Sequence, residues 1–317
     1  MNVSRLIPTA AVAGAVALGL TALTACSSSD AADHKNGDKL DVVASFYPMQ
    51  FLAEQIGGKH VSVTTLTRPG LEPHDLELSP RQIGGLTDAD FVLYLKGIQP
   101  AVDDAIEQSG AKDVVDASKL TTLEDHGTET GGDEHGHEHH GDEAGADPHI
   151  WLDPVKYAEV AKGVGASLEK TDPDHAADYR KNTDALVTKL DGLNTAYANG
   201  LKNTATKTFI TTHSAFGYLA ERYGLTQEGI AGVDPEAEPS PARISEIHTV
   251  AEKNKVTTVF FETLASDKTA RTLAKDTGLK TDVLDPLEGI TGKSKGTDYI
   301  EVMQSNLAAL QKALGAK

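Results

Sequence analysis

The sequence predicts an α/β fold of two lobes with mainly parallel sheets, joined by a single long rigid helix. Three observations predict it. Short apolar or β-branched runs alternate with helical stretches from Asp41 onward, and the alternation resumes after Lys207. Between these regions Tyr179, Leu186, Leu190, Leu193, Tyr197 and Leu201 form one stripe at helical spacing. A length of 317 residues with 39% hydrophobic content is about two domains' worth of chain.

Val42–Phe46 reads as a short strand, followed by Pro48 and a helical stretch to Ile56. Val61–Leu66 alternates and is β-branched, which suits a strand. Ser79-Pro80 has the form of an N-cap followed by proline at the first helical position, so a helix is expected to about Leu86. Phe91–Leu95 is a buried-type strand, Ala101–Gln108 is helical, and Val114-Val115 begins another strand.

Pro154–Glu169 is helical, and Pro173 opens the long helix, which can run from 174 to 201, about 42 Å at 1.5 Å per residue. Thr208–Thr212 is then a strand, Pro241–Lys253 a helix, Val256–Phe261 a strand and Lys268–Thr277 a helix. Val283-Leu284 is a short strand, and Asp298–Leu314 closes the chain as a helix. The sequence contains no persuasive internal repeat.

Residues 121–148 break the pattern. They hold nine acids, no Lys or Arg, and five of the twelve histidines: His126, His135, His137, His139 and His140. No apolar periodicity survives there, so a disordered loop is expected. Five histidines within fifteen residues favour auxiliary metal capture over a merely solvated acidic loop.

The chain begins with one basic residue, Arg5, and an apolar run from Leu6 to Ala25 that ends in small residues. A membrane-spanning helix is one reading of this run, and a signal peptide fits better. Leu23-Thr24-Ala25-Cys26 resembles a bacterial lipoprotein box, in which the cysteine is lipidated and becomes the first residue of the mature protein. The expected organisation is a lipoprotein signal peptide over 1–25 and a flexible tether over 26–40. The N-terminal lobe then covers 41–172, the linking helix 173–202 and the C-terminal lobe 203–317. The body would sit outside the cytoplasm, lipid-anchored to the outer face of the cell membrane.

Twenty-nine basic residues against 47 acidic ones give a formal charge of −18. Nucleic-acid binding through phosphate neutralisation is therefore not expected. Cys26 is the only cysteine, so neither an intrachain disulfide nor a multi-thiolate metal cage is available.

His74, His149 and His213 sit where a predicted strand or apolar run gives way to a loop or turn. Ligands of open α/β sheets bind at the carboxyl ends of strands. Two of these histidines belong to the first lobe and one to the second, so convergence would place a site in the inter-lobe cleft. Imidazole is a borderline donor suited to Zn²⁺, Cu²⁺ or Ni²⁺, and three imidazoles with one carboxylate make a tetrahedral zinc site. Asp285, Glu288 and Glu262 are the candidate acids, with Glu262 also suited to orienting an imidazole.

The chain resembles the cluster A-I solute-binding lipoproteins of bacterial ABC metal importers, in particular their zinc-uptake branch. The resemblance covers residues 20–315. It rests on the lipobox, Tyr47-Pro48, Glu-Pro-His-Asp at 72–75, the His-rich insertion and Asp-Pro-His-Ile-Trp-Leu-Asp-Pro at 147–154. It continues through Thr-His-Ser-Ala-Phe-Gly-Tyr at 212–218, Pro-Glu-Ala-Glu-Pro-Ser at 235–240 and Asp-Pro-Leu-Glu-Gly at 285–289.

The resemblance implies two lobes on one rigid helix, with metal ligands at His74, His149 and His213. Glu288 is the best match for the fourth ligand and Asp285 the reserve, while Glu72 would act only through its neighbours. Manganese and iron relatives tend to carry a carboxylate where this chain has His213. The resemblance also implies an extracytoplasmic receptor, with no catalytic function, that delivers Zn²⁺ to an ABC permease and its ATPase, as a monomer. A receptor for manganese or another divalent metal, a secreted zinc hydrolase and an adhesin or zinc buffer are the alternatives. No His-Glu-x-x-His motif supports the hydrolase.

Overall fold

The computed structural model describes residues 39–126 and 146–317. The expected leader, Cys26 and His135, His137, His139 and His140 lie outside the described residues.

The first lobe runs β1 (Leu40–Ala44), α1 (Tyr47–Gly57), β2 (Val61–Thr65), α2 (Pro80–Asp88), β3 (Phe91–Tyr94), α3 (Pro100–Ser109) and β4 (Val114–Asp116). Then come α4 (Pro154–Thr171) and the long α5 (Ala176–Gly200). The second lobe runs β5 (Thr208–Thr211), α6 (Gly217–Arg222), β6 (Thr226–Gly229), α7 (Pro241–Lys253), β7 (Thr258–Phe261), α8 (Lys268–Thr277), β8 (Lys280–Val283) and α9 (Tyr299–Leu314).

Each lobe is built on a four-stranded sheet, ordered β2-β1-β3-β4 in the first and β6-β5-β7-β8 in the second. Every neighbouring pair is parallel. The central strands Phe91–Tyr94 and Thr208–Thr211 are buried along their whole length, as parallel strands covered on both faces must be.

The helix signals act as expected. Ser79 caps α2 through a reciprocal capping box with Gln82, and Asp153 and Ser240 cap α4 and α7 ahead of Pro154 and Pro241. The linking helix is shorter than the expected 173–202. Pro173–His175 forms a 3₁₀ turn, and α5 proper spans 25 residues, about 37 Å.

It buries Tyr179, Thr183, Leu186, Leu190, Leu193 and Tyr197. Burial of one such apolar side chain contributes about 1.5–3 kcal/mol, more than propensity differences of up to about 0.7 kcal/mol per ordinary residue. The stripe therefore holds this helix in place. Gly165 of α4 admits the close approach of α5: a Cβ there would stand 2.2 Å from Thr183 Oγ1. One hydrophobic core runs from β1 and α1 through α4 and α5 to α9, so the buried stripe of the linking helix is shared by both lobes while its opposite face is exposed.

Three further expectations need correction. The second lobe contains α6 and β6, which the pattern did not indicate, because one is six residues long and the other reads Thr-Gln-Glu-Gly. The tether was expected to reach residue 40, but Leu40 is buried in β1. The stretch 121–148 is not disordered throughout. Glu124 N–H donates to Tyr218 Oη at 2.8 Å, Lys156 Nζ donates to Glu124 Oε1 at 2.6 Å, and Asp147 N–H donates to the Glu124 carbonyl at 2.9 Å. Residues 127–145 lie outside the described residues.

Candidate metal centre

His213 follows β5 by two residues, and its backbone is fixed before its ring is considered. Its carbonyl accepts from Thr211 Oγ1 at 2.7 Å and from Gln227 Nε2 at 3.0 Å. Its Nδ1 lies 2.8 Å from Oε1 of Glu262, the residue that directly follows β7. Glu262 also accepts from Thr212 Oγ1 at 2.8 Å.

In the first lobe, His149 opens the 3₁₀ turn Ile150–Leu152 instead of ending a strand. Asp147 Oδ1 holds it twice, accepting from its backbone N–H at 2.9 Å and lying 2.8 Å from Nδ1. His74 lies nine residues beyond β2, in the loop before α2. The expectation of three histidines at strand exits therefore holds for His213 and fails for His74 and His149, which loops carry into place.

Glu288 arrives on the turn after β8. Asp285 organises this turn: its Oδ1 accepts Leu287 N–H at 2.9 Å and its Oδ2 accepts Thr263 Oγ1 at 3.1 Å. Asn306 of α9 clamps the Asp285 backbone with bonds of 3.0 and 2.7 Å. Leu287 takes a positive φ of 61°, a conformation uncommon outside glycine. Trp151 Nε1 donates to the Pro286 carbonyl at 2.7 Å, tying the His149 turn to the Glu288 turn.

These elements bring His74, His149, His213 and Glu288 together, with one donor atom from each within 4.8 Å of every other. The Nε2 atoms of His74, His149 and His213 lie 3.3, 3.2 and 3.4 Å from Glu288 Oε1. Zinc–nitrogen bonds of about 2.0–2.1 Å in a regular tetrahedron require donor–donor edges of about 3.3–3.4 Å. The three edges meeting at Glu288 therefore already have the length that a tetrahedral zinc ion needs. His149, His213 and Glu288 are buried, and among the described residues His213 Nε2 and Glu288 Oε2 have no hydrogen-bond partner. Buried polar atoms left this way are costly unless a cation completes them.

The electrostatics follow from this packing. Burial opposes charge on His149 and His213, but Asp147 and Glu288 for the first, and Glu262 and Glu288 for the second, outweigh it and raise both pKa values. Burial likewise opposes charge on Glu288, and the three imidazoles that converge on it overcome this and hold the carboxylate well below its usual range. Glu72 adjoins Glu288. Its burial, with the Glu288 and Glu262 carboxylates nearby, pushes its carboxyl well above the usual carboxylate range.

Asp285 does not join the four-donor cluster; its oxygens accept from Leu287 N–H in its own turn and from Thr263 Oγ1 in the loop after β7. His126 stands in a separate group with Glu124 and Glu221. The sequence reading passed over the part played by Asp147 and all of Trp151, although Asp-Pro-His-Ile-Trp placed both within two residues of a candidate histidine.

A family model described as ZnuA, zinc-uptake complex component A periplasmic, matches residues 42–313. The chain is 41% identical over 304 residues to the high-affinity zinc uptake system protein ZnuA of Bacillus subtilis, covering 93% of this chain and 94% of that one. It is 38% identical over 296 residues to the zinc-binding lipoprotein AdcA of Streptococcus pneumoniae, covering 92% of this chain; it spans 58% of that relative's length. The crystal structure of the Zn(II)-bound ZnuA-like domain of the same streptococcal protein superposes with a TM-score of 0.73 at 36% identity. That match covers 87% of this chain and 99% of the domain.

Proposed function

The chain belongs to the ZnuA family of zinc-uptake components, and from that premise we propose that it is an extracytoplasmic high-affinity zinc receptor. His74, His149, His213 and Glu288 are its four ligands. One observation carries this reading: three imidazole nitrogens surround one buried carboxylate oxygen at 3.2–3.4 Å. Three imidazoles favour zinc over the harder Mn²⁺.

In the metal-free protein, protons on the histidines satisfy Glu288. Zinc replaces them, and its charge balances the same carboxylate. Asp147 and Glu262 hold Nδ1 of His149 and His213, which leaves each Nε2 free to coordinate. Four protein ligands leave no open position for an activated water, so the site binds and carries zinc without catalysing hydrolysis. Zinc is cargo, passed to an ABC permease driven by its ATPase. Cys26 carries the lipid that keeps the monomeric receptor at the outer face of the cell membrane.

Titration of the metal-free protein with Zn²⁺, Mn²⁺ and Cu²⁺ under chelator competition tests the assignment. One tight zinc equivalent that excess Mn²⁺ fails to displace is the expected result. Tighter binding of Mn²⁺ than of Zn²⁺ would refute it.

A further inference from the structure

The second lobe grips the segment that carries His149 with one short helix. Tyr218 and Arg222 lie four residues apart on α6, and therefore on one face of it. Tyr218 Oη donates to the Asp147 carbonyl at 2.6 Å and accepts the Glu124 N–H at 2.8 Å. Arg222 Nε donates to Asp153 Oδ2 at 2.8 Å, and Asp153 caps α4. The two anchors bracket residues 147–153, with His149 between them.

The packing makes this contact close. Tyr218 is 1% exposed and Asp147 is fully buried. A Cβ on Gly217 would stand 2.7 Å from Asp147 Oδ2, so the missing side chain there lets α6 come this near. The Tyr218 ring is held in turn, with the His126 ring edge-on at 4.3 Å and Lys156 Nζ 5.1 Å from its centroid.

The anchored residue is the one that orients the donor. Asp147 Oδ1 holds both the backbone N–H and Nδ1 of His149. Pro148 stands between the two residues, and its ring fixes φ. Few free torsions therefore separate the Asp147 carbonyl from the His149 ring, and an anchor on that carbonyl is passed on to the imidazole.

We propose that Tyr218 is a positioning residue for zinc: from the second lobe it sets Asp147, and through Asp147 it aims Nε2 of His149. The inference rests on the zinc-receptor reading for the identity of the ligand. His213 and Tyr218 are five residues apart. One stretch thus supplies the second lobe's own imidazole and secures one of the first lobe's. Separation of the lobes at α6 would withdraw the first and loosen the second together.

The test compares Tyr218→Phe with Tyr197→Phe in the full chain. Tyr197 is a similarly buried tyrosine whose Oη donates to the Met303 carbonyl at 2.7 Å, and it lies outside the donor cluster. Both variants lose a hydrogen bond to a buried carbonyl, and both should melt at lower temperature. Only Tyr218→Phe should weaken zinc binding in chelator competition, by about three- to tenfold. That loss should vanish on an Asp147→Ala background, which leaves no carboxylate to position. It should persist in full on Glu262→Gln, which acts on His213. Equal zinc affinity in the two phenylalanine variants would overturn the proposal, as would a Tyr218→Phe loss of the same size on both backgrounds.

Hydrogen exchange of the metal-free chain reads the positioning without zinc. The His149 backbone N–H should exchange faster in Tyr218→Phe and not in Tyr197→Phe, and unchanged exchange in Tyr218→Phe would overturn the proposal. Faster exchange, in a protein whose unaltered form binds no zinc tightly, would overturn the zinc reading and leave the positioning role standing.

Discussion

The two lobes share one sheet order and use it differently. In the second lobe the strand order reverses between β5 and β7, which is where an open parallel sheet leaves a crevice for ligands. His213 and Glu262 stand at the carboxyl ends of those two strands. In the first lobe the equivalent reversal lies between β1 and β3. Phe46, two residues past β1, packs there edge-on against Trp151 at 5.1 Å, and the donors arrive on loops. A donor at a strand end inherits its position from the backbone ladder. A donor on a loop depends on whatever hydrogen bonds pin it. Asp147 holds both the backbone and the ring of His149, whereas the backbone of His213 is fixed independently of Glu262.

The largest test of this contrast removes donors outright. Glu288→Ala, His149→Ala and His213→Ala should each cut zinc affinity by more than the roughly 10–100-fold typical of a supporting residue. His175→Ala and His248→Ala should leave it unchanged in the same chelator competition, since neither joins the donor cluster. Five equal losses would dissolve the distinction between the site and the rest of the molecule.

A smaller effect is expected from the supporting carboxylates. Asp147→Asn and Glu262→Gln should each cost about 10–100-fold in affinity, with the first-lobe change the larger. The reverse order would mean that the strand-end histidine is the less independently held of the two.

The smallest effect, about tenfold per pH unit for each proton displaced, concerns acidity. His149 and His213 have raised pKa values, so zinc affinity should begin to fall on acidification from above pH 6.5 or so. The sign reverses for the metal-free fold. The stabilisation from these histidines is complete below their unfolded value of about 6.5 and is lost as pH rises through the raised values. Glu288, with its depressed pKa, stabilises above the ordinary carboxylate range and stops doing so as pH falls through its folded value. Melting curves from pH 5 to 9, with and without zinc, should therefore diverge as pH rises. Parallel curves would show that protons and metal do not compete at these residues.

The regular elements were legible because their signals are local. Proline at the start of α2, α4 and α7 after Ser or Asp, and the Tyr179–Leu201 stripe, need only neighbours a few residues away. Pro241–Lys253 and Lys268–Thr277 match the expected spans to the residue. By contrast, α6 and β6 escaped because six residues carry too few helical turns, and Thr-Gln-Glu-Gly carries no apolar alternation.

The donor types could be read from the sequence alone, since imidazole and carboxylate chemistry belongs to the side chain and the four residues sit in short, ordered motifs. The identical strand order of the two sheets left no trace as a sequence repeat, because strand order is a relation between distant segments. The resemblance already favoured Glu288 over Asp285, but the physical difference between them lies in the tertiary structure. Three residues apart on one turn, the two acids differ in what surrounds them: Asn306 and Thr263 engage the first, and three imidazoles converge on the second. Sequence distance does not encode that difference, because the partners lie up to 214 residues away in the chain and meet only when both lobes pack on α5.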